Sequence, residues 1–173
     1  NMKNELETFV FLTFSTFLVF LVITISPQLL SEIQQDSNDY LMNNGTRKSL
    51  YVLISIFFEK FEFELISAQK VMLSFSITFL YYALRKNEIN LILSLIYVIA
   101  VIFNIYYTSY SKTILTESFF FSFINLGAGM ILLHKKNNKF FFFLSGVIFG
   151  SIMSIKSVGP AIAIPFLFIS FYI

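Results

Sequence analysis

An uncharged apolar run of eighteen residues, Thr8 to Ile25, is followed at short intervals by further Phe-rich and Ile-rich stretches, and this pattern leaves few ways for the chain to fold. Such a run has no polar face to offer water, and a helix of about 20 residues is what hydrocarbon about 30 Å thick requires. The same character returns over 65–84, 89–107, 118–133, 140–155 and 161–173, so the sequence predicts an all-α polytopic transmembrane protein of about six spans. Composition agrees: 57% of the 173 residues are hydrophobic and 13% charged, against roughly 25% charged in soluble domains. One membrane domain over 1–173 is expected, with no room for a soluble domain beside it. The last run is thirteen residues long and the chain stops inside it, which, with Asn1 standing before Met2, reads as the front part of a longer protein.

Several function classes drop out at once. The chain has no cysteine, hence no disulfide, thiolate nucleophile or thiolate ligand. Its single histidine, His134, stands beside Lys135 and Lys136 at a span end, where a solvated loop explains it, and no metal or other cofactor is expected. A net charge of +2 without a basic block excludes nucleic acid as partner. Lys3 before the first apolar run resembles the start of a signal peptide. The run is too long for a signal's apolar core and no small-residue cleavage pattern follows, so it reads as a retained span.

The first run ends in a sixteen-residue acidic segment, Ser26 to Leu41, the front of a loop that extends to residue 64. Ser26 can cap a second helix and Pro27 can occupy its first turn, carrying it to about Met42. Asn43-Asn44-Gly45 then supplies a left-handed stop. Asn44-Gly45-Thr46 also matches the N-glycosylation acceptor pattern, and reads as a turn first. Leu50 to Phe58, closed by the charged stretch 59–64, is too short to cross hydrocarbon and is expected to lie along the interface.

Lysine and arginine favour the cytoplasmic side. With the N-terminus inside, the inner loops hold Lys3, Arg85, Lys86, Lys135, Lys136 and Lys139. The outer loops hold seven of the ten acids, together with Arg47, Lys48 and Lys60. On that outer side, Asp36, Asp39 and Tyr40 are spaced i, i+3 and i+4 and share one helix face. They read either as a solvated face or as a general base at the membrane surface, where a low-dielectric boundary raises a carboxylate's basicity. Glu117, the only acid after Glu88, opens a span in Thr116-Glu117-Ser118. It reads as a carboxylate favoured by the helix dipole with Thr116 as cap, or as a second site carboxylate on Asp36's side. Lys156 lies between two apolar segments, as a snorkelling lysine or as a cation for a phosphate.

Three pieces in this order resemble the GT-C superfamily of polyprenyl-phosphate-sugar-dependent membrane glycosyltransferases, mannosyltransferases and arabinosyltransferases among them. Asp36-Ser37-Asn38-Asp39-Tyr40-Leu41 is similar to that family's acidic first loop, with its Asp-Ser-x-x-Tyr pattern. Ile114 to Phe121 is similar to its Thr-Glu entry into the fourth span. Ser154 to Pro160 is similar to its Arg-Pro-x-Gly-like turn after the fifth, with Lys156 where arginine is usual and Ser157 where proline is usual. The resemblance runs over nearly the whole chain. It implies inverting sugar transfer outside the cytoplasm, from a lipid-linked sugar phosphate to a glycan, lipid or protein acceptor, at the outer face of a bacterial plasma membrane. Asp36 would be the base and Lys156 would help hold the donor phosphate. Asp39, Tyr40 and Glu117 would bind substrate or orient the base. The residues themselves leave two other classes open: an ion-coupled transporter or flippase using Asp36 and Glu117, and a non-catalytic membrane subunit.

Overall fold

The computed structural model describes residues 2–28, 50–60, 64–113, 116–134, 139–155 and 159–172. All regular structure among them is helical: α1 (Met2–Ile25), α2 (Leu50–Lys60), α3 (Leu65–Lys86), α4 (Leu91–Ile102), α5 (Ile105–Tyr110), α6 (Thr116–Leu133), α7 (Lys139–Ile155) and α8 (Gly159–Tyr172). The expected helix after Pro27, the Asn43-Asn44-Gly45 stop and the acceptor pattern at Asn44 lie outside the described residues.

The helices form a row in which α3 packs on α1 and α6, α6 on α7, and α7 on α8, while α4 leans on α3. α1 runs antiparallel to α3, since Thr16 meets Thr78 hydroxyl to hydroxyl at 2.8 Å and Phe11 meets Tyr81 nearer the other end. α3 and α6 run parallel. Asn87, just past the end of α3, donates its side-chain N–H to both Ala83 O and Leu132 O, which ties the two helix C-termini together. Gln69, near the start of α3, bonds main-chain oxygens just ahead of α6. The chain returns between them through α4 and α5, so helix direction alternates along the sequence.

Small residues make the close approaches possible. A Cβ at Gly127 would sit 2.6 Å from the Phe149 ring and one at Gly129 would sit 2.8 Å from the Phe79 ring, so α6 admits aromatic side chains from both of its neighbours. The larger buried cluster collects Phe119, Phe120, Leu126, Phe149 and Ile152. A smaller one joins Val19 and Ile23 to Leu73 and Ile77. Between helices the contacts are partly polar, with Ser74, Ser76, Thr78, Ser122 and Asn125 all buried. Most of these hydroxyls donate to a carbonyl one turn back, as Ser74 does to Lys70 O and Ser122 to Ser118 O.

Two helices, over Leu6–Ile25 and Thr116–Leu133, are long and apolar enough to cross a membrane. α1 is about 36 Å long at 1.5 Å per residue and leaves Phe9, Phe14, Phe17 and Leu21 exposed, whereas α6 is half buried against α3 and α7.

Local structure departs from expectation at two helix starts, Ile105 and Thr116. The run over 89–107 is two helices, because Asn104 accepts from the N–H groups of both Tyr106 and Tyr107 and starts α5 afresh. Ser26 closes α1, its N–H bonding Val22 O and its hydroxyl donating to Ile23 O. Thr116 is the first residue of α6 and not its cap. The 50–58 segment, too short to span, forms α2 and reaches Lys60. Its Val52 is buried and Leu50, Ile54 and Phe58 pack on the main cluster, while Leu53, Ile56 and Phe57 stay exposed.

Candidate functional site

Helix alternation gathers the end of α1, the start of α3 and the α5–α6 connection at one end of the row. The long 26–64 loop also leaves and returns there, since Ser26 and Glu64 are its first and last residues. Two buried polar side chains knit this end. Gln69 is fully buried and donates to Thr113 O at 2.7 Å and to Tyr110 O at 3.3 Å, holding α3 to the connection. Lys112, only 6% exposed, donates to Thr24 O at 3.1 Å and to Ser26 O. The last carbonyls of α1 have no partner within their own helix and carry the negative end of its dipole, so an ammonium group is the complement they call for.

Lys112 is held under electrostatic tension. Burial lowers its pKa from the usual 10.5, and the neighbouring charge of Lys70 on α3 lowers it further. Lys112, ahead of α6, and Lys70, half buried on α3, thus bring two cations to this end. Lys70 carries a signal readable in the sequence, a lone lysine inside the otherwise apolar stretch 65–84, whereas nothing local to Ser111-Lys112-Thr113 points to the carbonyls that Lys112 meets.

Glu117 stands in the first turn of α6, half buried, four residues beyond Thr113. The Thr116 hydroxyl lies 3.3 Å from its Oε2 and can donate to it. The next residue, Ser118, is 1% exposed and its hydroxyl has no hydrogen-bond partner among the described residues. Glu64 begins α3 and accepts from the Ser67 hydroxyl at 2.5 Å. This end therefore holds carboxylates, ammonium groups and an unspent hydroxyl, the ingredients for binding a polar, partly anionic molecule.

Of the residues singled out in the sequence, Glu117 is described and lies at this end. Asp36, Asp39 and Tyr40, in the loop that starts from Ser26, lie outside the described residues, as does Lys156, which falls between α7 and α8. His134 ends α6 at the opposite end of the row, its ring 5.6 Å from that of Phe142. Among the described residues no three His, Cys, Asp or Glu side chains group closely enough to hold a metal ion. Compared with protein-family models, with curated proteins and with solved structures, the chain matches none.

Proposed function

We propose that this chain is a polytopic membrane glycosyltransferase of the GT-C kind, which moves a sugar from a polyprenyl-phosphate donor to an acceptor hydroxyl at the end of the helix row where α1 finishes. The observation that carries the reading is the knitting of that end. Lys112 and Gln69 bind the α1 terminus, the α3 start and the segment leading to Glu117 into one unit, and the acidic loop departs from that unit. A lipid donor arrives through the bilayer and a polar acceptor through water, so the two meet where apolar helices end in fixed polar groups.

In this reading Asp36 takes the acceptor's proton as its oxygen attacks the anomeric carbon. The bond from that carbon to the phosphate oxygen breaks, the polyprenyl phosphate leaves with the electron pair, and the anomeric configuration inverts. Lys156, aided by the two cations Lys70 and Lys112, stabilises the departing phosphate. Glu117, Asp39 and Tyr40 orient the acceptor. The exposed aromatic and aliphatic side chains of α1 and α4 support placement in a bilayer, because contiguous apolar surface of this kind is costly in water.

The test is release of polyprenyl phosphate from lipid-linked sugars by the reconstituted chain. Glu117→Gln, which keeps shape and removes charge, is expected to lower kcat about 10²-fold, the scale of a misplaced reactant. Unchanged turnover in Glu117→Gln would remove that residue from the site. Ion-gradient-driven uptake without any sugar transfer would replace the reading with a transporter.

A further inference from the structure

At the other end of the row, α1 and α3 leave between them a groove of about 450 Å³ lined by Glu7, Thr8, Phe11, Tyr81, Tyr82 and Arg85. Its volume is that of a small-molecule site. Its chemistry is unusual for a crevice between apolar helices, since one wall carries a carboxylate and the other a guanidinium, both exposed, with three aromatic rings around them. No ion pair joins Glu7 to Arg85 among the described residues. Arg85 instead turns one N–H to Ile89 O, which keeps its guanidinium at the helix end with further donors to spare. Lys86 adds a second cation beside the groove, donating to the Tyr82 hydroxyl at 3.2 Å and lying 5.5 Å from that ring's centroid.

We propose that this groove binds the headgroup of a zwitterionic phospholipid bearing a primary ammonium, with the phosphodiester on Arg85 and the ammonium on Glu7. Guanidinium suits a phosphate through paired N–H donors, and a carboxylate suits an N–H-bearing ammonium. A headgroup whose only charge is the phosphodiester satisfies Arg85 but gives Glu7 no ammonium. A quaternary ammonium has no N–H to give Glu7. Tyrosines at a helix end are what a membrane–water interface favours, and the exposed Leu6, Phe9 and Val10 on α1 provide apolar surface for the acyl chains. The site is separate from the end where sugar transfer is proposed and rests on the membrane placement alone.

The experiment is native mass spectrometry of the full chain purified from membranes containing equal amounts of phosphatidylethanolamine, phosphatidylglycerol and phosphatidylcholine. An alkaline carbonate wash of those membranes comes first. The wild type is expected to stay in the membrane and to retain phosphatidylethanolamine over each competitor by about threefold, the scale of one exposed charge-assisted contact. Glu7→Gln is expected to erase the preference over phosphatidylglycerol, and Arg85→Gln to lower retention of both lipids. Glu88→Gln makes the same charge change outside the groove and is expected to leave the preference intact. Equal retention of the three lipids by the wild type, or an undiminished preference in Glu7→Gln or Arg85→Gln, overturns the proposal while leaving sugar transfer standing. Release of the chain by the wash overturns both.

Discussion

Lys112 is caught between two opposing demands. The carbonyls of Thr24 and Ser26 favour its charged form, and burial together with Lys70 opposes it, with the pKa below 10.5 as the outcome. The sign of the stability effect follows. Between the lowered value and 10.5 the unfolded chain holds a proton on this lysine that the folded chain has released, so stability gains as pH rises through that window. Below the lowered value both states hold the proton and the contribution is flat. Thermal unfolding of detergent-solubilised protein is expected to show wild-type stability rising relative to Lys112→Met on the alkaline side only. At neutral pH, Lys112→Met is expected to be less stable by about 1–3 kcal/mol, because the α1 carbonyls lose a charged donor. Parallel curves for the two proteins at all pH values would contradict the assignment. The role of Lys112 was not legible in the sequence because its partners are main-chain oxygens 88 and 86 residues away, which no local spacing encodes. The position of Glu117 was legible, since a lone carboxylate at the head of an apolar run reads as a helix start, and it stands in the first turn of α6.

At the scale of elements, the long apolar runs translate directly into α1, α6 and α7, because continuous apolar runs of that length exceed a buried strand and suit a helix. The break between α4 and α5 was hidden, because apolar residues flank it on both sides and only the Asn104 side chain, turning back onto two N–H groups, makes the cap. The Ser154 to Pro160 stretch reads as a turn, and α8 in fact begins within it at Gly159, with Pro160 in its first turn, where a missing N–H costs nothing. Gly159 is there for space. A Cβ would come within 2.3 Å of Ile152 O and 2.8 Å of Met153 Cα, both on the main chain, where no side-chain rotation relieves the clash. Gly159→Ala is therefore expected to push α8 off α7 and to lower stability by about 1–3 kcal/mol, read as a loss in thermal unfolding temperature. Gly150→Ala, with nothing within 4 Å of its Cβ, is the matched control and is expected to be neutral or slightly stabilising. Equal effects at the two positions would mean that α7 and α8 do not pack this closely.

For the molecule as a whole, alternation of helix direction separates two chemically different ends. One end carries Arg85, Lys86 and the lipid groove; the other carries Lys70, Lys112, Glu117 and both ends of the acidic loop. Part of that division was legible from charge placement, because Arg85 and Lys86 close one apolar run while most of the acids fall in the 26–64 loop. The polar seam between the helices was not, since Gln69, Ser76 and Asn125 sit inside runs whose average character is apolar. The claim on which the functional reading depends is that the acidic loop supplies a base to the end that Lys112 and Gln69 hold together. Its most direct measurement is single-turnover sugar transfer from a polyprenyl-phosphate donor by the full chain in proteoliposomes, comparing wild type with Asp36→Asn while donor binding is followed separately. The account predicts that Asp36→Asn binds donor as the wild type does and transfers sugar slower by about 10²–10⁴-fold, the usual worth of a positioned general base. Wild-type transfer rates in Asp36→Asn would contradict it.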